Sequence, residues 1–115
     1  VAVTLTTDQA LDILSRAIRG LVRDDLRDLT QRQLAVLTLV YRAQAPETVR
    51  GLAAELGIGK PAITRAVDRL EGLELVRRMV DIRDKRSVLI GRTVAGAVYL
   101  RDLSERVVIA AAAAR

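Results

Sequence analysis

The sequence predicts a mostly α fold with one small β-hairpin, an α+β class in which helices dominate. Three observations carry that expectation. Apolar residues recur at spacings of three and four near both ends of the chain. A short helix, a glycine turn and a second capped helix stand in the middle. The period then changes, and two Val- and Ile-rich runs flank a charged segment. With 115 residues, no internal repeat and no long linker, one domain spanning 1–115 is expected.

The elements follow in order. From Thr7 to about Asp28, Leu11, Leu14, Ile18 and Leu21 form a helical stripe that Ile13, Ala17 and Val22 widen. Thr6 or Thr7 can cap its start, and Asp8 suits the positive end of the helix dipole. A second helix begins after Thr30, buries Leu34, Leu37 (or Thr38) and Tyr41, and closes at Pro46. Thr48 caps a third helix over Val49–Leu56, and Gly57 provides the left-handed residue that ends it. Lys60-Pro61 opens a fourth, where a missing N–H costs nothing; Ile63, Val67 and Leu70 point inward, and it stops near Gly72. Leu75–Val80 and Ser87–Ile90 read as strands around the polar tip Asp81–Arg86. Thr93 caps a last helix from Val94 to roughly Ala113, with Leu100, Leu103, Val107, Ala110 and Ala114 in helical spacing.

Composition removes whole classes of function. Without Cys or His there are no disulfides, no thiol redox chemistry, no zinc or imidazole metal sites and no His-based catalysis. No metal or cofactor is expected. Only two lysines, Lys60 and Lys85, and no paired carboxylates remain for catalysis, so the chain is not expected to be an enzyme. Tyr41 and Tyr99 are the sole aromatics, too few for a platform that stacks single-stranded bases. No apolar run reaches the ~18 residues of a membrane span and no signal-peptide layout opens the chain, so a soluble, cytoplasmic protein is expected. The first residue is Val1 rather than Met, so missing native residues ahead of it are also an expectation.

The net charge of +5 is unevenly placed. Seven basic and seven acidic side chains precede Lys60, whereas twelve and seven follow from there on. Arg77, Arg78, Arg83, Lys85 and Arg86 fall within one short stretch. A local density of this kind suits a polyanion such as DNA, although a solvated charged face is an equally simple reading.

Two helices, a helix-turn-helix, a basic hairpin and a closing helix together describe a winged helix-turn-helix domain with added helices at both ends. The residues themselves are then informative. Leu29-Thr30-Gln31-x-Gln33-x-Ala35-Val36-Leu37 is followed by Leu52-Ala53-x-Glu55-Leu56-Gly57-Ile58. Pro61-Ala62-Ile63-Thr64-Arg65-Ala66-Val67-Asp68-Arg69-Leu70-Glu71 leads to Gly72 and Leu75-Val76-x-Arg78. The wing is Asp81-Ile82-Arg83-Asp84-Lys85-Arg86. From about Leu29 to Gly96 this resembles the MarR family of transcriptional regulators, with Lys85 where the family's wing signature has its middle Arg.

The resemblance implies a DNA-binding lobe over 30–91 with its wing at 75–90, and dimerisation helices over about 7–28 and 93–113. It implies a homodimer on a pseudo-palindromic operator in double-stranded DNA, most often as a repressor. Thr64 and Arg65 are best placed for base edges, since Arg reads guanine and Thr offers a hydroxyl and a methyl. Arg65 pairing with Asp68 or Glu71 is the simpler alternative. Lys60, beside Pro61, would meet a phosphate at the helix start. Arg69 would touch DNA or pack against the wing. On the wing, Arg83 and Lys85 are tip candidates, and Arg86 either contacts DNA or braces the hairpin through Asp84 or Asp81. Arg77 and Arg78 point to opposite strand faces, so at most one, with Arg78 the candidate, faces the duplex. Thr48 is expected only to cap. An oxidant-sensing cysteine route is closed, and a small-molecule effector would draw on Tyr41 and on Arg16 or Arg19. The alternative to a DNA regulator is a winged-helix protein-interaction module, or the heterodimeric partner of another regulator.

Overall fold

The computed structural model describes residues 4–114, so the extreme ends of the expected 1–115 domain lie outside the described residues. Helix α1 spans Thr7–Arg23. Its start is a reciprocal capping box: the Thr6 hydroxyl accepts from the Gln9 N–H, and the Gln9 carboxamide accepts from the Thr6 N–H. It ends five residues before the expected Asp28. Asp25 takes a left-handed φ of 54°, which lets the Leu26 N–H reach back to the Leu21 carbonyl and close the helix. Asp tolerates that conformation better than most side chains.

Helix α2, Gln31–Arg42, repeats the capping box with Thr30 and Gln33. Its buried face is Val36, Leu37 and Val40 rather than the expected line of Leu34, Leu37 and Tyr41, which keeps only Leu37 at its centre. The helix packs against two neighbours, the fourth helix and the sheet, so its apolar face is wider than one stripe. A strand the sequence does not announce, β1 (Glu47–Thr48), follows. Helix α3 covers Val49–Leu56, with the Thr48 hydroxyl accepting from the Gly51 N–H, which is the plain capping role expected. Gly57 stops it at φ 65°, a conformation where a Cβ would be strained.

Helix α4 runs Lys60–Gly72 from an N-cap at Gly59. Its end repeats the device of α1: Glu74 is left-handed at φ 63°, and the Leu75 N–H reaches the Leu70 carbonyl. Strands β2 (Val76–Val80) and β3 (Val88–Arg92) pair antiparallel, and β1 adds to the other edge of β3 through Glu47 opposite Ile90. The wing is therefore a three-stranded sheet of order β1-β3-β2, not a bare hairpin. Helix α5, Val94–Ala113, closes the chain, with the Thr93 hydroxyl accepting from the Gly96 N–H as its cap.

The chain divides into two compact units. The unit Leu29–Val98 holds the fully buried core: Val36, Leu37, Leu52, Ile63, Val67, Leu70, Val76 and Ile90. The other unit comprises α1 with its flanking residues to Asp28 and the chain from Tyr99 onward. Small residues dominate what it buries, with Ala17, Gly20 and Ala110 alongside Tyr99. The Tyr99 hydroxyl donates to the Arg27 carbonyl, and Arg106 pairs with Asp24. Burial, and then the charge of Asp28, raises the Tyr99 pKa. The large aliphatic side chains of this unit remain in solvent: Leu11, Leu14, Ile18 and Val22 on α1, and Val107, Val108 and Ile109 on α5. No described helix is long and apolar enough to cross a membrane.

Candidate nucleic-acid interface

Helix α4 separates its residues cleanly by face. Ile63, Ala66, Val67 and Leu70 are buried, while Lys60, Pro61, Thr64, Arg65, Asp68 and Arg69 are exposed. The open question for Arg65 was whether a neighbouring acid occupies it. Both candidate acids are taken by another cation. Arg78 on β2 bonds to Asp68 at 2.6 Å and to Glu71 at 2.7 Å through its two terminal nitrogens. Its backbone N–H also donates to Glu71 at 2.9 Å. Among the described residues Arg65 has no ion pair.

The triad has clear electrostatic consequences. The Arg78 N–H, then its guanidinium, hold the Glu71 carboxyl below its usual pKa. For Arg78 burial alone acts downward, but the two carboxylates outweigh it and raise its pKa. Arg78 is thus a brace between the recognition helix and the wing, with its donors turned inward. Arg77, on the other face of β2, is exposed.

Beside Arg65, a notch of about 150 Å³ is lined by Thr30, Arg32 and Gln33 of the α2 start and by Ala62, Arg65 and Ala66. Two guanidiniums at a helix N-terminus make this a plausible seat for a phosphate oxygen. Sequence reasoning missed Arg32 because it lies on a different helix from Arg65. The signal available was a cation two residues past an N-cap.

The wing tip is organised by its own acids. Asp81 accepts from the Arg83 N–H at 2.9 Å, and its N–H donates to the Ser87 carbonyl. Asp84 accepts from the Arg86 N–H at 3.1 Å, from the Arg86 side chain at 3.4 Å and from the Ser87 hydroxyl. The Arg86 N–H, then its guanidinium, lower the Asp84 pKa. These bonds turn both carboxylates onto the loop and leave Arg83, Lys85 and Arg86 exposed. Of the two bracing partners considered for Arg86, Asp84 is the one used, and the Arg86 side chain still stands 94% in solvent.

The wing is pinned at its root. The Tyr41 hydroxyl lies 2.9 Å from the carbonyls of Leu75 and Thr93 and accepts from the Thr93 N–H at 2.9 Å, so one phenol holds the first residue before β2 and the first after β3. Arg92 lies over the Tyr41 ring, 5.8 Å from its centre, and donates to the Ala43 carbonyl. The residues considered for an effector thus all have internal partners: Tyr41 as above, Arg16 on Asp12, and Arg19 on the Ser15 carbonyl. No group of three or more metal-ligating side chains comes together among the described residues.

None of the curated protein sequences compared with the chain matches it. Among solved structures, it is similar to a mutant of S. aureus MepR bound to an oligodeoxyribonucleotide, with 25% identity, a TM-score of 0.72, and coverage of 84% of this chain and 68% of that one. It is similar to the transcriptional regulator Tm0710 from Thermotoga maritima at 25% identity and TM-score 0.72, over 87% of this chain and 68% of that one. CouR from Rhodococcus jostii RHA1, bound to p-coumaroyl-CoA, shares 34% identity at TM-score 0.65, over 85% of this chain and 66% of CouR. The model of the MarR family matches residues 29–88, the stretch that contains the helix-turn-helix, the Arg78 brace and the basic tip. The chain belongs to the MarR family of winged helix-turn-helix proteins, DNA-binding transcriptional regulators and not enzymes.

Proposed function

We propose that the chain is a repressor that occupies a pseudo-palindromic operator as a homodimer. The observation that carries this reading is the commitment of Asp68 and Glu71 to Arg78, which leaves Thr64 and Arg65 uncompensated on the outer face of α4. Arg65 reads a base in the major groove, Thr64 contributes a hydroxyl and a methyl beside it, and Lys60 with Pro61 meets the backbone at the helix start. Arg69, Arg83, Lys85 and Arg86 contact phosphates or the flanking minor groove, and Arg78 acts by positioning. The exposed aliphatic face of α1 and α5 supports the dimer, because a monomer would leave it in water. Two-fold symmetry then sets half-sites roughly 34–36 Å apart.

Selection of bound sequences from random duplex DNA, at salt high enough to suppress non-specific binding, tests the proposal. Enrichment of a two-fold motif with half-sites one turn apart is the expected result. Binding with no enriched motif would reduce the chain to a basic surface, and no binding would favour the protein-interaction reading.

An anionic effector is a second reading. Arg16, Arg19, Arg23 and Arg106 line one groove of about 460 Å³ together with Gly20, Ile109, Ala110 and Ala113, a volume suited to a small ligand. Release of the selected duplex by a panel of aromatic acids and their CoA thioesters tests it.

A further inference from the structure

The wing ends in apolar side chains that its own fold does not use. Val80 and Val88 oppose each other at the last paired position of β2 and β3, and both are exposed. Beyond them Ile82 is 92% exposed. Alternation along the strands puts Val80 on the face that carries Val76 and Arg78, and Val88 on the face of Ile90. Nearer the root, that face is buried or engaged by α4 through Arg78. The Val80–Val88 pair therefore extends the core face outward, past the reach of α4 and on the side where the recognition helix stands. A hairpin tip gains no stability from these side chains, and an exposed aliphatic edge invites unwanted pairing.

The surrounding chemistry identifies the occupant. Arg83, Lys85 and Arg86 surround Ile82 with positive charge, while Asp81 and Asp84 are tied to the loop backbone. A surface that is cationic at its sides and apolar at its apex matches the minor groove of duplex DNA, with phosphates along its rims and deoxyribose C–H groups on its walls. A second copy of the wing would place the same cations against one another.

We propose that Ile82, backed by Val80 and Val88, enters the minor groove beside the recognition site and packs on its deoxyribose walls while Arg83 and Lys85 hold the rims. This rests on the DNA-binding reading above and deepens it. Groove width and the deformability of the flanking steps become part of the specificity, at positions where no base edge is read.

The test uses the full chain, the selected duplex, and Ile82→Val, Ile82→Ala and Ile82→Asn, with affinity measured across a salt series. Ile82 has open space around it, so the variants should melt with the parent. Affinity should fall in the order Ile, Val, Ala, Asn, with Ala about three- to tenfold weaker. The salt slope should stay constant because no charge changes, whereas Arg83→Ala lowers it. Ala and Asn variants within about twofold of the parent, alongside a weakened Arg83→Ala, would overturn the insertion and leave the DNA reading standing. Failure of the parent to bind any duplex would overturn both. A change in sedimentation of Ile82→Asn with unchanged affinity would assign the patch to a second copy of the chain, also against the proposal.

Discussion

Replacing Tyr41 by Phe isolates the hydroxyl that pins the wing. The ring stays, and with it the packing of α2 and the contact with Arg92. What goes is one donor and one acceptor serving three partners at 2.9 Å. The Thr93 carbonyl keeps the Ala97 N–H as a partner, so the loss falls on the Thr93 N–H and the Leu75 carbonyl. A net bond is worth about 1 kcal/mol and an orphaned buried donor costs about 1–3 kcal/mol. Tyr41 is only half-buried, so water can recover part of this. The expected cost is about 2 kcal/mol, or roughly 8 °C in Tm for a chain of this length. Urea unfolding followed by circular dichroism measures it, at one fixed protein concentration because dimerisation would add to apparent stability. Gly96→Ala provides the second arm. A helical Ala is normally better than Gly by about 1 kcal/mol, yet a Cβ at Gly96 would overlap both the Tyr41 hydroxyl and the Leu75 carbonyl. The sign should invert. A Tyr41→Phe protein within about 0.5 kcal/mol of the parent, which is ordinary surface behaviour, would refute the pin.

Four further outcomes are expected. Arg65→Ala should cost about 1–3 kcal/mol on the selected operator and relax specificity at one position; equal weakening on scrambled DNA would remove its base-reading role. Neutralising Arg83 and Lys85 together should lower the salt slope by at most about two units, and an unchanged slope would return them to a solvated face. Leu14→Asp combined with Ile18→Asp places two charges on the exposed aliphatic face of α1 and should convert a dimer to monomers in sedimentation velocity; an unaltered dimer would place the interface elsewhere. Glu71 has a folded pKa below its ordinary 4.5, so its contribution is present above that pH and is lost as pH falls through the folded value. Glu71→Gln should therefore flatten the acid limb of stability against pH, and a parallel profile would show that the Arg78 triad adds nothing.

Local chemistry was legible in the sequence and distant pairing was not. Thr30 with Gln33 announces a helix start because both halves of the capping box lie within three residues. Gly57 and Pro61 mark turn and helix start for reasons of backbone geometry alone. The end of α1 was misplaced because an Asp, not a Gly, takes the left-handed position, and Glu74 does the same after α4. Strand β1 has two residues and no apolar alternation, so only its partner on β3 defines it. The role of Arg78 depends on acids seven and ten residues back, brought over it by the turn between α4 and β2. Tyr41 reads as a core or ligand residue until the fold brings Leu75 and Thr93 to its hydroxyl.

The distribution of charge explains why a net charge of only +5 is enough for a polyanion partner. Residues 1–28 and 99–115 carry equal numbers of basic and acidic side chains, so the whole excess belongs to Leu29–Val98. Within that unit, four of the seven acids are turned to structural work: Asp68 and Glu71 on Arg78, Asp81 and Asp84 on the wing loop. The same bonds that fix the wing against α4 and shape its tip thus remove the charges that would screen Arg65, Arg83 and Lys85. Rigidity and positive potential arise from one set of contacts. A substitution such as Asp84→Asn weakens the loop while raising the charge, so its effects on the on-rate and on specificity should have opposite signs: faster encounter at low salt from the added charge, and poorer discrimination from the looser tip.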